Sequence, residues 1–285
     1  MATDKGLDQN TELMDRTKAL VGEVTDLATI GDISGTLERP KSLDPNDRSG
    51  TEDIGAQDVR LPRLSFAQGL SPQMTPSDGQ YIDDLKLFDM FNDLTSEPYG
   101  KGPITFVPVK RDVRRIEFTP RSEGGGIVDF DVPPNDPRMK WTVKDGNRIP
   151  PRGTKFVEFV VLLLRPGKAP EPIVLSIKET NKWNRRASDQ LTTFIKLRNA
   201  PIYAGLYKID SLTPGKNDKG TFAVPTIKNA GFVPKDTPAG KALYDYAKQF
   251  AESLAGKVIV VDREPGADEE FDGAAMDAEG AKAEM

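Results

Sequence analysis

At 285 residues the chain has room for one large domain or two small ones. It contains no cysteine and no histidine, which removes disulfides, thiolate or imidazole metal sites, cysteine nucleophiles and serine–histidine–aspartate triads together. Its formal net charge of −5 conceals a partition: residues 1–58 carry 13 acids and 6 bases, residues 59–261 carry 22 acids and 31 bases, and residues 262–285 carry 9 acids and 2 bases.

In chain order, residues 1–58 read as a flexible acidic arm. Leu13, Leu20, Val21, Val24 and Leu27 recur at roughly helical spacing and predict a short helix within 11–30, and 31–56 is a linker rich in Gly, Pro, Asp and Ser. An irregular segment runs from Leu61 to Gln80, after which Tyr81, Leu85, Phe88, Phe91 and Leu94 predict a short helix over 80–95. Period-two apolar patterns then predict strands at 104–109, 113–118 and 127–132, separated by Pro and Gly turns. Residues 156–164 and 172–177 are nearly continuous apolar runs and predict central strands.

A helix is expected over 182–199, with Leu191, Phe194, Ile195 and Leu197 on its inner side. Residues 202–209 and 220–227 then pair across a basic tip at 213–220. Asp236 or Thr237 caps a last helix, with Pro238 in its first turn, and Leu243, Tyr246, Phe250 and Leu254 form its buried stripe up to Gly256. Residues 257–261 predict a final strand, and 262–285 an acidic disordered tail. No apolar run approaches the roughly 20 residues that span a bilayer, and the first residues lack a signal peptide's basic start and apolar stretch. These patterns predict a mainly β, α+β protein, soluble and cytoplasmic, or in the host cytoplasm if viral. Its basic core over 59–261 is expected to be an OB-like β-barrel with added helices, between flexible acidic N- and C-terminal segments.

A basic core between acidic ends is the electrostatic footprint of a nucleic-acid binder. The densest cluster is Lys110-Arg111-Asp112-Val113-Arg114-Arg115. On a strand, Arg115 projects opposite Arg114, so Lys110, Arg111, Arg114 and Arg115 either track a phosphate backbone or guard a solvated strand edge. Lys140-Trp141 and Lys182-Trp183, with Arg185 and Arg186, join positive charge to a ring on which a base can stack, typically worth about 1–3 kcal/mol per base. Tyr207 is a weaker stacking candidate, and Lys216 and Lys219 lie where a hairpin tip either clamps phosphates or simply turns. In the tail, Asp268, Glu269, Glu270, Phe271 and Asp272 either compete with nucleic acid and recruit a partner protein or only solubilise the chain. No P-loop is present, because none of the Gly-Lys pairs has both the preceding Gly and the following Ser or Thr. No cofactor is expected. Glu158, Glu171 and Glu179 flank the predicted central strands and leave a magnesium-binding carboxylate pair open.

The order of elements, the charge split and two sequence blocks resemble the single-stranded DNA-binding proteins of T7-like tailed bacteriophages. One block spans Tyr207-Lys208-Ile209, Asn217-Asp218-Lys219-Gly220-Thr221-Phe222 and Gly231-Phe232-Val233. The other runs from Leu61-Pro62-Arg63-Leu64 through Phe91-Asn92 to Tyr99-Gly100-Lys101-Gly102 and is similar to uncharacterised phage proteins. The resemblance implies an OB-type barrel with added helices and an acidic tail that regulates access of single-stranded DNA in replication or recombination. It implies no catalysis, contacts to phage replication or recombination proteins through the tail, and no membrane. Homo-oligomerisation is compatible with this reading. Two rivals remain, a virion or assembly protein whose acidic arms are interaction segments, and a metal-dependent nuclease.

Overall fold

The computed structural model describes residues 60–69, 71–119, 126–217 and 220–256. In chain order these form β1 (Leu64–Phe66), β2 (Met90–Asn92), β3 (Pro98–Gly100), β4 (Ile104–Phe118), β5 (Ile127–Asp129), β6 (Thr142–Lys144) and β7 (Asn147–Ile149). There follow β8 (Gly153–Leu164), β9 (Glu171–Lys178), α1 (Lys182–Leu197), β10 (Gly205–Asn217), β11 (Gly220–Phe232) and α2 (Pro238–Ser253). The long strands build one antiparallel sheet in the order β11-β10-β4-β8-β9, with β5 added beside the end of β4. Two small sheets lie outside this order: β1-β2-β3, bridged to β9 where Val174 donates to the Pro62 carbonyl at 2.8 Å, and the hairpin β6-β7.

The continuous apolar run of β8 dictates the layering. Successive strand side chains point to opposite faces, so a strand apolar throughout must be covered on both. Val157, Phe159, Val161 and Leu163 join one buried cluster with Leu191 of α1 and with Leu64 and Met90 from the small sheet. Val160 and Leu162 join a second cluster with Leu243 and Ala247 of α2. The two helices therefore lie on opposite faces of the sheet, each held by side chains whose burial is worth roughly 1.5–3 kcal/mol apiece. Their starts are where the cap residues require them. Asn181 accepts a hydrogen bond from the backbone N–H of Asn184 at 2.8 Å, and Thr237 accepts from Gly240 at 3.0 Å with Pro238 following.

β9 and β11 stand at opposite ends of the strand order, yet Ser176, Ile177 and Lys178 of one and Phe222, Ala223 and Pro225 of the other line the same cavity. The sheet thus curls until its two edges face each other, and α1 packs against both. No ladder joins them among the described residues, so the closed barrel expected from sequence is replaced by an open, curled sheet. The physical reason is occupancy. Hydrogen-bonded strands lie about 4.8 Å apart, whereas the outer edge of β9 is taken by Pro62 and Arg63, which pair with Val174, and Asn181 and Asn184 at the start of α1 line the space between.

Four other expectations are corrected. Residues 80–95 are turns leading into β2 rather than a helix, because Asp84 and Phe88 adopt positive φ (61° and 69°) and break the helical path. Their apolar side chains, Ile82, Leu85 and Phe91, close on Ala67 in a local cluster. The strands expected at 104–109 and 113–118 are one, β4, because every residue from Lys110 to Glu117 pairs with β8 after a bulge between Pro108 and Lys110. Leu197 is 78% exposed, because six residues after Leu191 it lies off the stripe that Leu191, Phe194 and Ile195 share. The hairpin strands run on to Asn217 and from Gly220, so the turn is shorter than 213–220. Residues 1–58, the strand expected at 257–261 and the tail 262–285 lie outside the described residues.

Candidate nucleic-acid interface

Strand alternation after the bulge in β4 sorts its basic cluster onto two faces. Arg111 and Arg115 lie opposite Phe159 and Lys155 and share the face that α1 covers, whereas Lys110 and Arg114 lie opposite Val160 and Phe156 on the other. The four therefore do not form a single row. Lys110 is tied to Asp112 at 3.2 Å, and Arg114 stands 3.9 Å from the buried carboxylate of Glu158. The Arg111 Nε donates to Thr192 on α1 at 3.2 Å, and its guanidinium lies 6.0 Å from the Phe159 ring. Arg115 makes no ion pair with a described residue.

Beyond this cluster, elements distant in sequence meet at one end of the sheet, where β4 and β9 finish and β8 and α1 begin. Arg114, Phe156 and Lys178 form a row across three strands, with Arg115 and Lys155 in the next row on the opposite face. The Lys178 ammonium lies 5.7 Å from the Phe118 ring, which is itself 6.1 Å from Phe156. Lys155 is paired with Glu179 at 2.8 Å, and the Ser188 hydroxyl donates to the same carboxylate at 2.5 Å. Four residues after Lys178, Lys182 stands 4.9 Å from the Trp183 ring, and Trp183 meets Phe222 of β11 at 6.1 Å. That contact brings the start of β11 to this same end. Lys219 and the side chain of Lys216 lie outside the described residues, as do Asp268, Glu269, Glu270, Phe271 and Asp272.

Lys140 and Trp141 reach this end through an arginine clamp. The Arg138 guanidinium binds Glu117 at 2.7 Å, Asp129 at 3.0 Å and Asp136 at 2.8 Å, and Arg152 adds a second cation to the buried Glu117 at 2.9 Å. Hydrogen bonds from Arg138 hold the Asp136 carboxyl down to about 2. The clamp pins the turn Pro137–Met139 to the end of β4, and Met139 lies against Gly153 at the start of β8, where any side chain would collide with its sulfur. Lys140 is exposed and Trp141 half-buried. Lys140, Lys182, Arg185 and Arg186 make no ion pair with a described residue. Arg185 and Arg186 line a shallow groove along α1 with Lys182 and Phe194.

One expected ring is removed from the surface. Tyr207 is fully buried in the first cluster, 6.0 Å from Phe106 on the neighbouring strand, so it presents no face to a base. Its strand face is the inward one because Ile209, two residues on, is buried in the same cluster. Lys155 and Lys178 belong to the converging end and were not singled out from sequence. Lys155 precedes and Lys178 follows an apolar run, and the only available signal was a cation at the end of such a run.

Each strand-flanking acid meets a cation, Glu158 near Arg114, Glu179 paired with Lys155, and Glu171 in a wider network. Glu171 accepts from Tyr99 at 2.6 Å, Asn92 at 2.8 Å and Arg165 at 2.6 Å, a network that joins β2 and β3 to the turn between β8 and β9. Burial and the Glu171 hydrogen bond push the Tyr99 hydroxyl upward, and a hydrogen bond from Arg165 holds Glu97 below the ordinary carboxylate range. Among the described residues no three acids gather as a metal-ligand set.

Among those residues too, no helix is long and apolar enough to cross a membrane. No curated protein and no solved structure matches the chain. A family model described as Pam3 phage gp34-like protein matches residues 34–259. That span covers most of the 285 residues, and the chain belongs to the Pam3 phage gp34-like protein family.

Proposed function

We propose that this member of a phage family binds single-stranded DNA without catalysis, in phage replication or recombination in the host cytoplasm. The observation that carries the reading is the meeting of Arg114, Arg115, Lys178, Lys182, Trp183, Lys140, Trp141 and the start of β11 at one end of the curled sheet. Single-strand binders combine a positive groove along the backbone with rings on which bases stack. The strand path supports it further. A meander of β4, β8 and β9, then a helix, then the β10–β11 hairpin, with β10 returning beside β4, is the order of an OB-type sheet, whose first and last hairpin loops contact oligonucleotides. In this chain those loops hold Lys140 and Trp141 in one case and Lys216 and Lys219 in the other. The acidic tail, with Asp268 to Asp272, competes for the basic end and offers a contact to phage partner proteins.

Titration of the full chain with single-stranded DNA, double-stranded DNA and RNA at two salt concentrations, followed by tryptophan emission, tests the reading. Quenching by oligo-dT that weakens steeply with salt is the expected result. An unchanged signal at low salt rejects it. An assembly role is favoured by one observation, the exposure of Val128, Phe130 and Val143 near the same loop. Large ordered species on size-exclusion chromatography without nucleic acid would support that reading instead.

A further inference from the structure

The cleft between the facing edges of β9 and β11 encloses about 460 Å³, within the roughly 300–1,000 Å³ of small-molecule pockets. Its lining joins flat apolar rings, Phe66 and Phe222, to the side-chain amides of Gln68, Asn181 and Asn184. Most amides here are satisfied. Gln73 donates to Gln80 at 2.8 Å, and the Asn181 oxygen accepts from the backbone of Asn184. Two are not, because Gln68 Oε1 and Asn184 Oδ1 are buried without any hydrogen-bond partner. A buried acceptor left without a donor is costly, and native proteins seldom tolerate one. Two of them in the lining of one cavity describe the complement of a flat molecule that carries N–H groups on its edge.

Given the single-strand reading, on which this inference rests, we infer that the cleft takes one unstacked nucleobase of the bound strand. The rings of Phe66 and Phe222 supply apolar contact to the base, and Gln68 and Asn184 accept from its edge. Adenine, cytosine and guanine each carry an exocyclic amino group there, whereas thymine offers a single ring N–H between two carbonyls. The cleft therefore discriminates against thymine. Lys178 and Phe222, which line it, belong to the converging basic end, so a strand tracked by those cations passes the cleft mouth. The α1 start plays a double part: it holds the sheet open and carries one of the two acceptors.

The test uses the full chain and fluorescein-labelled homopolymers of thymine, cytosine and adenine, each of about 12 nucleotides, read by anisotropy. Cytosine and adenine homopolymers are expected to bind about tenfold tighter than thymine. Asn184→Leu, which replaces the acceptor by an apolar group of similar size, should bring that ratio close to one without changing the salt dependence. Gln68→Leu should reduce it in the same way and covers the case in which the first variant does not fold. A Trp141→Phe background leaves Trp183 as reporter, beside Phe222 at the cleft, and its emission should change with cytosine more than with thymine. Equal affinities for all three homopolymers, or a ratio that both variants leave intact, would overturn base readout by the cleft while strand binding stands. No binding of any oligomer at low salt would remove both.

Discussion

Replacing Arg115 and Lys182 together by alanine probes whether the basic end meets phosphates. Five cations there, Arg115, Lys140, Lys182, Arg185 and Arg186, make no ion pair with a described residue. Each one that neutralises a phosphate of a single strand adds about 0.7 to the slope of log affinity against log salt, so all five give a slope of about −3.5. Affinity then falls about a hundredfold between roughly 50 and 200 mM salt. Lys110 and Lys155, held by Asp112 and Glu179 at 3.2 and 2.8 Å, contribute less because their counterions are already protein carboxylates. Without Arg115 and Lys182 the slope flattens to about −2.1. Lys241→Ala, on α2 across the sheet, is the control and should leave the slope alone. Anisotropy of labelled oligo-dT over that salt range reads both. A slope unmoved by the double substitution, or moved equally by Lys241→Ala, refutes the assignment of phosphate contact to this end.

Gly240→Ala should destabilise the fold by about 1–3 kcal/mol, because the added Cβ would fall inside contact distance of the Pro234 carbonyl, which is backbone and cannot swing aside; an unchanged melting temperature would contradict this. Acid should weaken the arginine clamp. Asp136 titrates near 2 when folded against 3.8 ordinarily, so its stabilising contribution is present above about pH 4 and is lost as pH falls towards about 2. Melting temperature should therefore drop over that window, and Arg138→Met should show a flatter acid limb than the parent. Deleting residues 262–285 removes a net charge of −7 from the chain and should tighten oligo-dT binding at low salt, with the difference vanishing as salt screens it; equal affinities at low salt would leave the tail no competitive role.

Elements whose side chains repeat with one clear period were legible before any coordinates. The continuous apolar runs of β8 and β9 were equally so, and α2 starts at Thr237, one of its two expected caps. The stretch 80–95 misled because Tyr81, Leu85 and Phe88 imitate helical spacing, while the positive φ of Asp84 and Phe88 leaves no such trace in residue type. Of the proposed binding residues, Arg115, Lys140, Trp141, Lys182 and Trp183 lie at one end. Tyr207 is buried, which was not legible because period-two alternation names two faces of a strand without saying which is inward.

The sequence by itself determined composition-level and local matters: the basic middle between acidic ends, the absence of thiol and imidazole chemistry, the cap of α2, and the apolar runs that must be buried on both faces. These depend on single residues and their near neighbours. Only the tertiary structure decided that the sheet curls without closing, that α1 stands between its edges, and that loops more than seventy residues apart in sequence meet at one end. The reason is that register and curvature arise from long-range pairing, where a single bulge beside Pro108 redirects every later side chain of β4.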